Sequence, residues 1–355
     1  MIRVVVVDDS AFARRAIARV LEADPGIKVV GEAANGTEAL ERVPAARPDV
    51  VTLDLAMPGM DGLTALRGLM ARDPGLRVLM LSVHTQEGAE ATLEALAAGA
   101  VDFVDKSRFG MMEFEGLGRE LRERIRALAG ARGAGDGASR NGAGHDGGID
   151  PRGAIPGRQA IDLCVLGAST GGPAAIQQIL EALPAAFPIP LAIVQHMPPG
   201  FTGPFARRLD QRCRLRVREA EDGDRLEPGT VLIAPAGYHM RVNVNLAVTL
   251  SADSGHARHV PSVDVLMLSA ARARPGRILG VLLTGMGDDG AEGMAMIHGQ
   301  GGITLAENEA TSVVYGMPRA AWERGAVTRQ LPLPALAEWL AAVTGASLAA
   351  SPARP

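Results

Sequence analysis

The sequence predicts two α/β domains in series: an N-terminal five-stranded, parallel, doubly wound sheet, and a C-terminal parallel-sheet domain carrying a β-hairpin. The chain has 355 residues, more than one hydrophobic core usually organises. Short β-branched runs alternate with helical patterns on both sides of a Gly-rich segment. The strand runs are continuously apolar, as in parallel strands covered on both faces.

In the first half, Ile2–Val7, Ile27–Val30, Asp49–Asp54, Val78–Val83 and Val101–Val104 read as strands with helices between them, giving a domain over residues 1–128. Between Gly130 and Gly157 there are ten glycines in 28 residues, with almost no large aliphatic side chain. Residues 129–158 are therefore expected to be a linker, with a flexible-coil span of ~30 Å. The pattern resumes over 159–346, with strands at Ile161–Leu166, Leu191–Gln195, Thr230–Ala234 and Ile278–Thr284. There Met240–Leu250 alternates around Asn243 and Asn245 as a hairpin would, and residues 347–355 form a tail.

A net charge of -4 gives no electrostatic footprint for nucleic acid. No run reaches the roughly 18 to 20 apolar residues needed to span a bilayer, so neither membrane insertion nor a signal peptide is expected. Two cysteines, Cys164 and Cys213, are too few for a disulfide framework and suit a reducing cytoplasm.

Asp8 and Asp9 end the first strand and Asp54 ends the third, so a parallel sheet brings three carboxylates to one edge. Unpaired, they repel; a hard divalent cation such as Mg²⁺ resolves that repulsion. Strand-end aspartates are also ordinary helix N-caps, which would account for one or two of them. Ser82 and Lys106 add a hydroxyl and a cation to the same edge, and Lys106 is one of two lysines in a chain whose other 34 basic residues are arginine.

Asp8-Asp9-Ser10, the run Leu53 to Gly62, Ser82 and Asp105-Lys106 together resemble the response-regulator receiver family over about the first 120 residues. The resemblance implies that Asp54 accepts a phosphoryl group from a histidine kinase. It implies that Asp8, Asp9, Asp54 and the main-chain carbonyl of Ala56 hold Mg²⁺, and that Ser82 and Lys106 contact the phosphoryl oxygens. Two positions depart from the family pattern: Ser107 replaces the common proline, and Ala56 lacks a polar side chain.

In the second half, Asp162-Leu163-Cys164-Val165-Leu166 leads through Gly167-Ala168-Ser169-Thr170-Gly171-Gly172 into a helical stretch. Such a strand, tight turn and helix can expose a serine hydroxyl at the sheet's rim, with helix N-terminal amides facing developing negative charge. A phosphate loop is the blander reading, but neither Gly-Lys-Ser/Thr nor G-x-G-x-x-G is present. His196 ends the next strand and Asp289 follows another. Each polar residue alone has a dull explanation as a cap or turn residue; their convergence on one edge does not. A hydroxyl needs a base within hydrogen-bond reach, and that base needs a carboxylate to orient it.

The GASTGG, QHMPPGF and LLTGMGDDGAEGM runs resemble the catalytic domain of the CheB family of chemotaxis methylesterases from about Asp162 to Thr344. That resemblance makes Ser169 the nucleophile, His196 the general base and then acid, and Asp289 rather than Asp288 the orienting carboxylate. The Met286 amide would bind the oxyanion, with Thr170 in support. The implied activity is phosphorylation-activated hydrolysis of glutamate γ-methyl esters, with glutamine deamidation by the same chemistry, on the cytoplasmic helices of methyl-accepting chemoreceptors. The esterase step itself needs no cofactor.

The rival is a receiver-controlled binding module without catalysis. Cys164 and Cys213 read as inert packing or undecided, and His256 and His259 as solvated loop residues. Val260 stands where the family usually has an arginine.

Overall fold

The computed structural model describes residues 1–82, 86–106, 114–135, 160–253, 255 and 257–345. The chain divides into two compact units, Met1–Ala138 and Ser139–Pro355. The first comprises β1 (Ile2–Val7), α1 (Ala11–Glu22), β2 (Ile27–Ala33), α2 (Gly36–Ala46), β3 (Val50–Asp54), α3 (Gly62–Arg72), β4 (Arg77–Ser82), α4 (Gln86–Ala97), β5 (Asp102–Asp105) and α5 (Phe114–Gly135). All five strands are parallel, in the order β2-β1-β3-β4-β5. Val4, Val5, Val6 and Val7 are all fully buried, as a strand covered on both faces requires. The order reverses between β1 and β3, which opens a crevice at their carboxyl ends.

Helix α5 continues through the start of the segment expected to be a linker, ending at Gly135. The rest of that segment, the 347–355 tail, Ser107 and His256 lie outside the described residues.

The second unit runs β6 (Leu163–Ala168), α6 (Gly172–Ala182), β7 (Leu191–Gln195), α7 (Thr202–Arg212), β8 (Arg216–Glu219), β9 (Thr230–Ile233), β10 (His239–Val242), β11 (Val248–Ser251), α8 (Val263–Ala273), β12 (Ile278–Leu282), α9 (Ala291–Gly299), β13 (Ile303–Glu307), α10 (Met317–Glu323), β14 (Arg329–Leu331) and α11 (Leu333–Thr344). Seven strands make one parallel sheet, β14-β13-β12-β6-β7-β9-β8, and β10 and β11 form the antiparallel hairpin. Three of the seven, β8, β13 and β14, are not among the expected strands. Two of them are edge strands: β8 is charged (Arg-Val-Arg-Glu) and β14 has three residues, so neither carries the continuous apolar run of a central strand.

This sheet reverses around β6, with β7 on one side and β12 on the other. The strand at which the order reverses is thus the one that delivers Ser169. No helix among the described residues is long and apolar enough to cross a membrane.

Candidate active site and phosphoacceptor pocket

Parallel register places the serine and the histidine side by side. Ala168, the last residue of β6, pairs with Gln195, the last of β7, so Ser169 and His196 leave adjacent strands together. The His196 amide donates to the Ala168 carbonyl at 3.1 Å, and the Ser169 amide to the Thr284 carbonyl beyond β12 at 3.0 Å. Buried Gln195 closes the arrangement: its Nε2 donates to the carbonyls of Ser169 at 2.9 Å and His196 at 3.0 Å.

The turn between Ser169 and α6 requires glycine twice. Gly171 has φ +80°, and a Cβ there would meet Val313 Cβ at 2.6 Å. At Gly172 a Cβ would meet Gln195 Oε1 at 2.0 Å. The N-cap of α6 is Gly171, with no side-chain cap bond, so Ser169 is not a helix cap.

Asp289 turns inward while its neighbour Asp288 is exposed. Its Oδ2 lies 2.8 Å from His196 Nε2 and accepts from the Val263 amide at 2.8 Å. Its Oδ1 accepts from Ser262 Oγ at 2.8 Å and the Asp264 amide at 3.0 Å. Burial acts to raise this carboxyl's pKa, but the His196 bond and the α8 amides outweigh it and hold Asp289 well below the usual carboxylate range. An ionised Asp289 only accepts, so His196 Nε2 is the donor of this bond and Nδ1 is the ring nitrogen left outside it. Nδ1 is buried without a hydrogen-bond partner, so Ser169 Oγ does not bond to it here. Nearby Asp264 is displaced the other way, upward, by burial and by the Asp289 charge.

The segment after β12 is pinned from several directions. Thr284 Oγ1 donates to the Thr170 carbonyl at 2.9 Å and accepts from the Val314 amide at 2.9 Å. Glu307 Oε2 accepts from the Thr284 amide at 2.8 Å. The Gly316 and Met317 amides both donate to the Gly285 carbonyl, fixing the peptide that precedes Met286. No hydrogen bond from the Met286 amide to the protein is seen among the described residues.

At the crevice of the first unit, Asp8, Asp9 and Asp54 present carboxylate oxygens all within 4.8 Å of one another, with Asp8 and Asp54 buried and Asp9 exposed. None of them caps the following helix: Ser10 caps α1 by accepting from the Ala13 amide, and Asp61 caps α3 by accepting from the Thr64 amide. Lys106 Nζ lies 2.5 Å from Asp54 Oδ2 and 3.2 Å from Asp8 Oδ2. Burial pushes the Asp54 carboxyl up despite Lys106. At such spacing two buried carboxylates repel by roughly 3 kcal/mol at an effective dielectric near 20. One lysine against three carboxylates leaves net negative charge at this edge. This donor set fits a hard cation such as Mg²⁺. Ser82 is fully buried and accepts from Thr92 Oγ1 at 2.7 Å.

Comparison with known proteins decides the family. Residues 164–340 match the CheB methylesterase model, and residues 4–111 the response regulator receiver domain model. A protein-glutamate methylesterase/protein-glutamine glutaminase of Alkalilimnicola ehrlichii is 44% identical, with 96% of this chain and 99% of the relative covered. The chain belongs to the CheB methylesterase family. A Pseudomonas aeruginosa protein-glutamate methylesterase/protein-glutamine glutaminase 2 is 45% identical, with 95% of each chain covered. The solved CheB methylesterase catalytic domain of Thermotoga maritima is 39% identical, covering 51% of this chain and 98% of that one at a TM-score of 0.49.

Within this CheB-family frame, three residues carry contacts that the sequence did not assign, and a fourth, expected as a solvated loop residue, has a specific partner. Gln195 stands inside the QHMPPGF run, and a polar residue closing an apolar strand was the available signal. Ser262 is the N-cap of α8 and also donates to Asp289, a double duty visible only in three dimensions. Glu307 ends β13, a strand that was not anticipated. His259 is exposed, as a loop reading implies, yet its ring stacks on that of His196.

Proposed function

We propose that the second unit hydrolyses γ-methyl esters of glutamate side chains, and deamidates glutamine side chains by the same route, on the cytoplasmic helices of methyl-accepting chemoreceptors. The observation that carries this reading is the hydrogen bond between His196 and an ionised Asp289, one strand away from Ser169. Ser169 Oγ attacks the γ-carbonyl as its proton passes to His196 Nδ1. Apo sites often hold this contact loosely and tighten it in the substrate complex. The carbonyl becomes an oxyanion facing the Met286 amide, and removal of one such donor costs about 3 kcal/mol in serine hydrolases. Thr170, anchored by Thr284, supports the turn. Collapse of the tetrahedral intermediate expels methanol, or ammonia from glutamine, with the proton returned by His196. Water then hydrolyses the acyl-serine through the same base, releasing glutamate.

The first unit supplies control. Asp54 is the phosphoryl acceptor for a histidine kinase, and Asp8, Asp9, Asp54 and the Ala56 carbonyl would hold Mg²⁺, which neutralises charge at the transferring phosphoryl group. Lys106 and Ser82 are the groups that contact the added oxygens.

Methanol release from methylated receptor membranes tests the esterase: the wild type releases it and Ser169→Ala does not. Equal release by both removes the nucleophile and favours the binding-module alternative. A small-molecule phosphodonor should raise the rate of the wild type and leave Asp54→Ala unchanged.

A further inference from the structure

A second imidazole lies against the proposed base. The ring of His259 stacks on that of His196 with centroids 4.2 Å apart and planes 20° from parallel. His259 itself is exposed, whereas the His196 side chain retains only 10% of its accessibility. An exposed loop side chain usually samples several rotamers, so a flat contact with one particular ring calls for a physical account.

The account begins with what the Asp289 bond leaves undone. One hydrogen bond at Nε2 fixes a single point of the His196 ring. The ring can still swing about that point, because the torsion at an imidazole is broad and nothing holds Nδ1. A partner lying flat on the ring removes that freedom, since swinging would open the stacked faces to water. His259 stands three residues before Ser262, whose hydroxyl, with the next two amides, grips Asp289. A single short stretch, residues 259–264, therefore holds both the ring and the carboxylate that orients it.

We infer that His259 is a positioning residue for the esterase: its stacked ring fixes the plane of His196 so that Nδ1 meets the Ser169 proton in one orientation. This inference rests on the assignment of Ser169 and His196 under the proposed function. It works through ring shape, so an aromatic ring that neither titrates nor donates should replace it.

The test compares the full-length wild type with His259→Ala, His259→Gln and His259→Phe, reading kcat and KM for methanol release from methylated receptor membranes and the melting temperature of each. The Ala and Gln variants should lose roughly tenfold in kcat, as a modest misplacement of a catalytic group does, with KM and melting temperature little changed. The Phe variant should recover most of the loss. Ala and Gln variants as fast as the wild type overturn the inference, and so does a Phe variant as slow as Ala, which would assign the effect to polarity or charge. If wild-type release persists in Ser169→Ala, the assignment beneath the inference fails first, a result distinguishable from serine-dependent release that ignores His259.

Discussion

The side-chain amide of Gln195 spans the carbonyls of Ser169 and His196 at 2.9 and 3.0 Å, so one buried group ties the ends of β6 and β7 where the two reacting side chains emerge. The amide oxygen packs against Gly172, where no other residue fits. Orientation of the nucleophile toward its base is thus set by a contact between main chain and Gln195, not by either reacting side chain.

Removing that contact should cost both activity and stability. Gln195→Ala leaves the part-buried His196 carbonyl without its donor and the Ser169 carbonyl with only the Gly172 amide, a penalty of about 1 to 3 kcal/mol. Gln195→Glu should be worse, because an ionised carboxylate cannot donate and faces two carbonyl oxygens. Thermal denaturation and kcat of the two variants check the order: wild type, then Ala, then Glu. A Glu variant as active as the wild type contradicts it.

Asp289 makes a pH-dependent contribution whose sign follows from its depressed pKa. A carboxyl held lower in the folded than in the unfolded chain adds stability above the unfolded value near 3.8, and that contribution fades as pH falls through the lower folded value. Urea denaturation of the wild type and Asp289→Asn should differ most above about pH 5 and converge toward pH 2. The same substitution removes the acceptor that fixes the His196 tautomer, so kcat should drop by about a thousandfold or more.

Glu307 has the opposite sign. Burial raises its carboxyl, against the hydrogen bond from the Thr284 amide, so the folded chain favours the protonated form. Its stability contribution is full at low pH and is lost as pH rises through the folded value. Glu307→Gln keeps an acceptor for Thr284 without the buried charge and should melt at or above the wild-type temperature at pH 8. Glu307→Ala should melt lower at every pH, since the Thr284 amide loses its acceptor. A Gln variant less stable than Ala would refute the assignment.

Both thiols are pushed up to about 12 by burial, Cys213 with added repulsion from Glu181 and Asp210. Neither forms appreciable thiolate near neutrality. Iodoacetamide at pH 8 should leave the native protein unlabelled and fully active, and should label both cysteines after denaturation. Inactivation tracking native-state labelling would point to a cysteine in the chemistry.

Much of this organisation was legible in the linear chain because parallel sheets write it there. A buried strand is an uninterrupted apolar run, and the polar residue that stops it stands at the carboxyl edge. Asp8, Asp54, Ser169 and His196 could therefore all be placed at strand ends before any coordinates. Charged β8, three-residue β14 and the short β13 lack that signature, which hid Glu307 together with its strand.

Other features depend on how distant loops return to the same edge. That Asp289 meets Nε2 rather than Nδ1, that Ser262 and the amides of Val263 and Asp264 hold that carboxylate, and that His259 lies flat on His196 are relations across 25 to 93 positions or between side-chain orientations. Sequence alone determined which chemical groups reach the edge, since strand periodicity and turn glycines are local properties of the chain. Tertiary structure decided which atoms of those groups face one another, because that is set by packing among segments with no local relation.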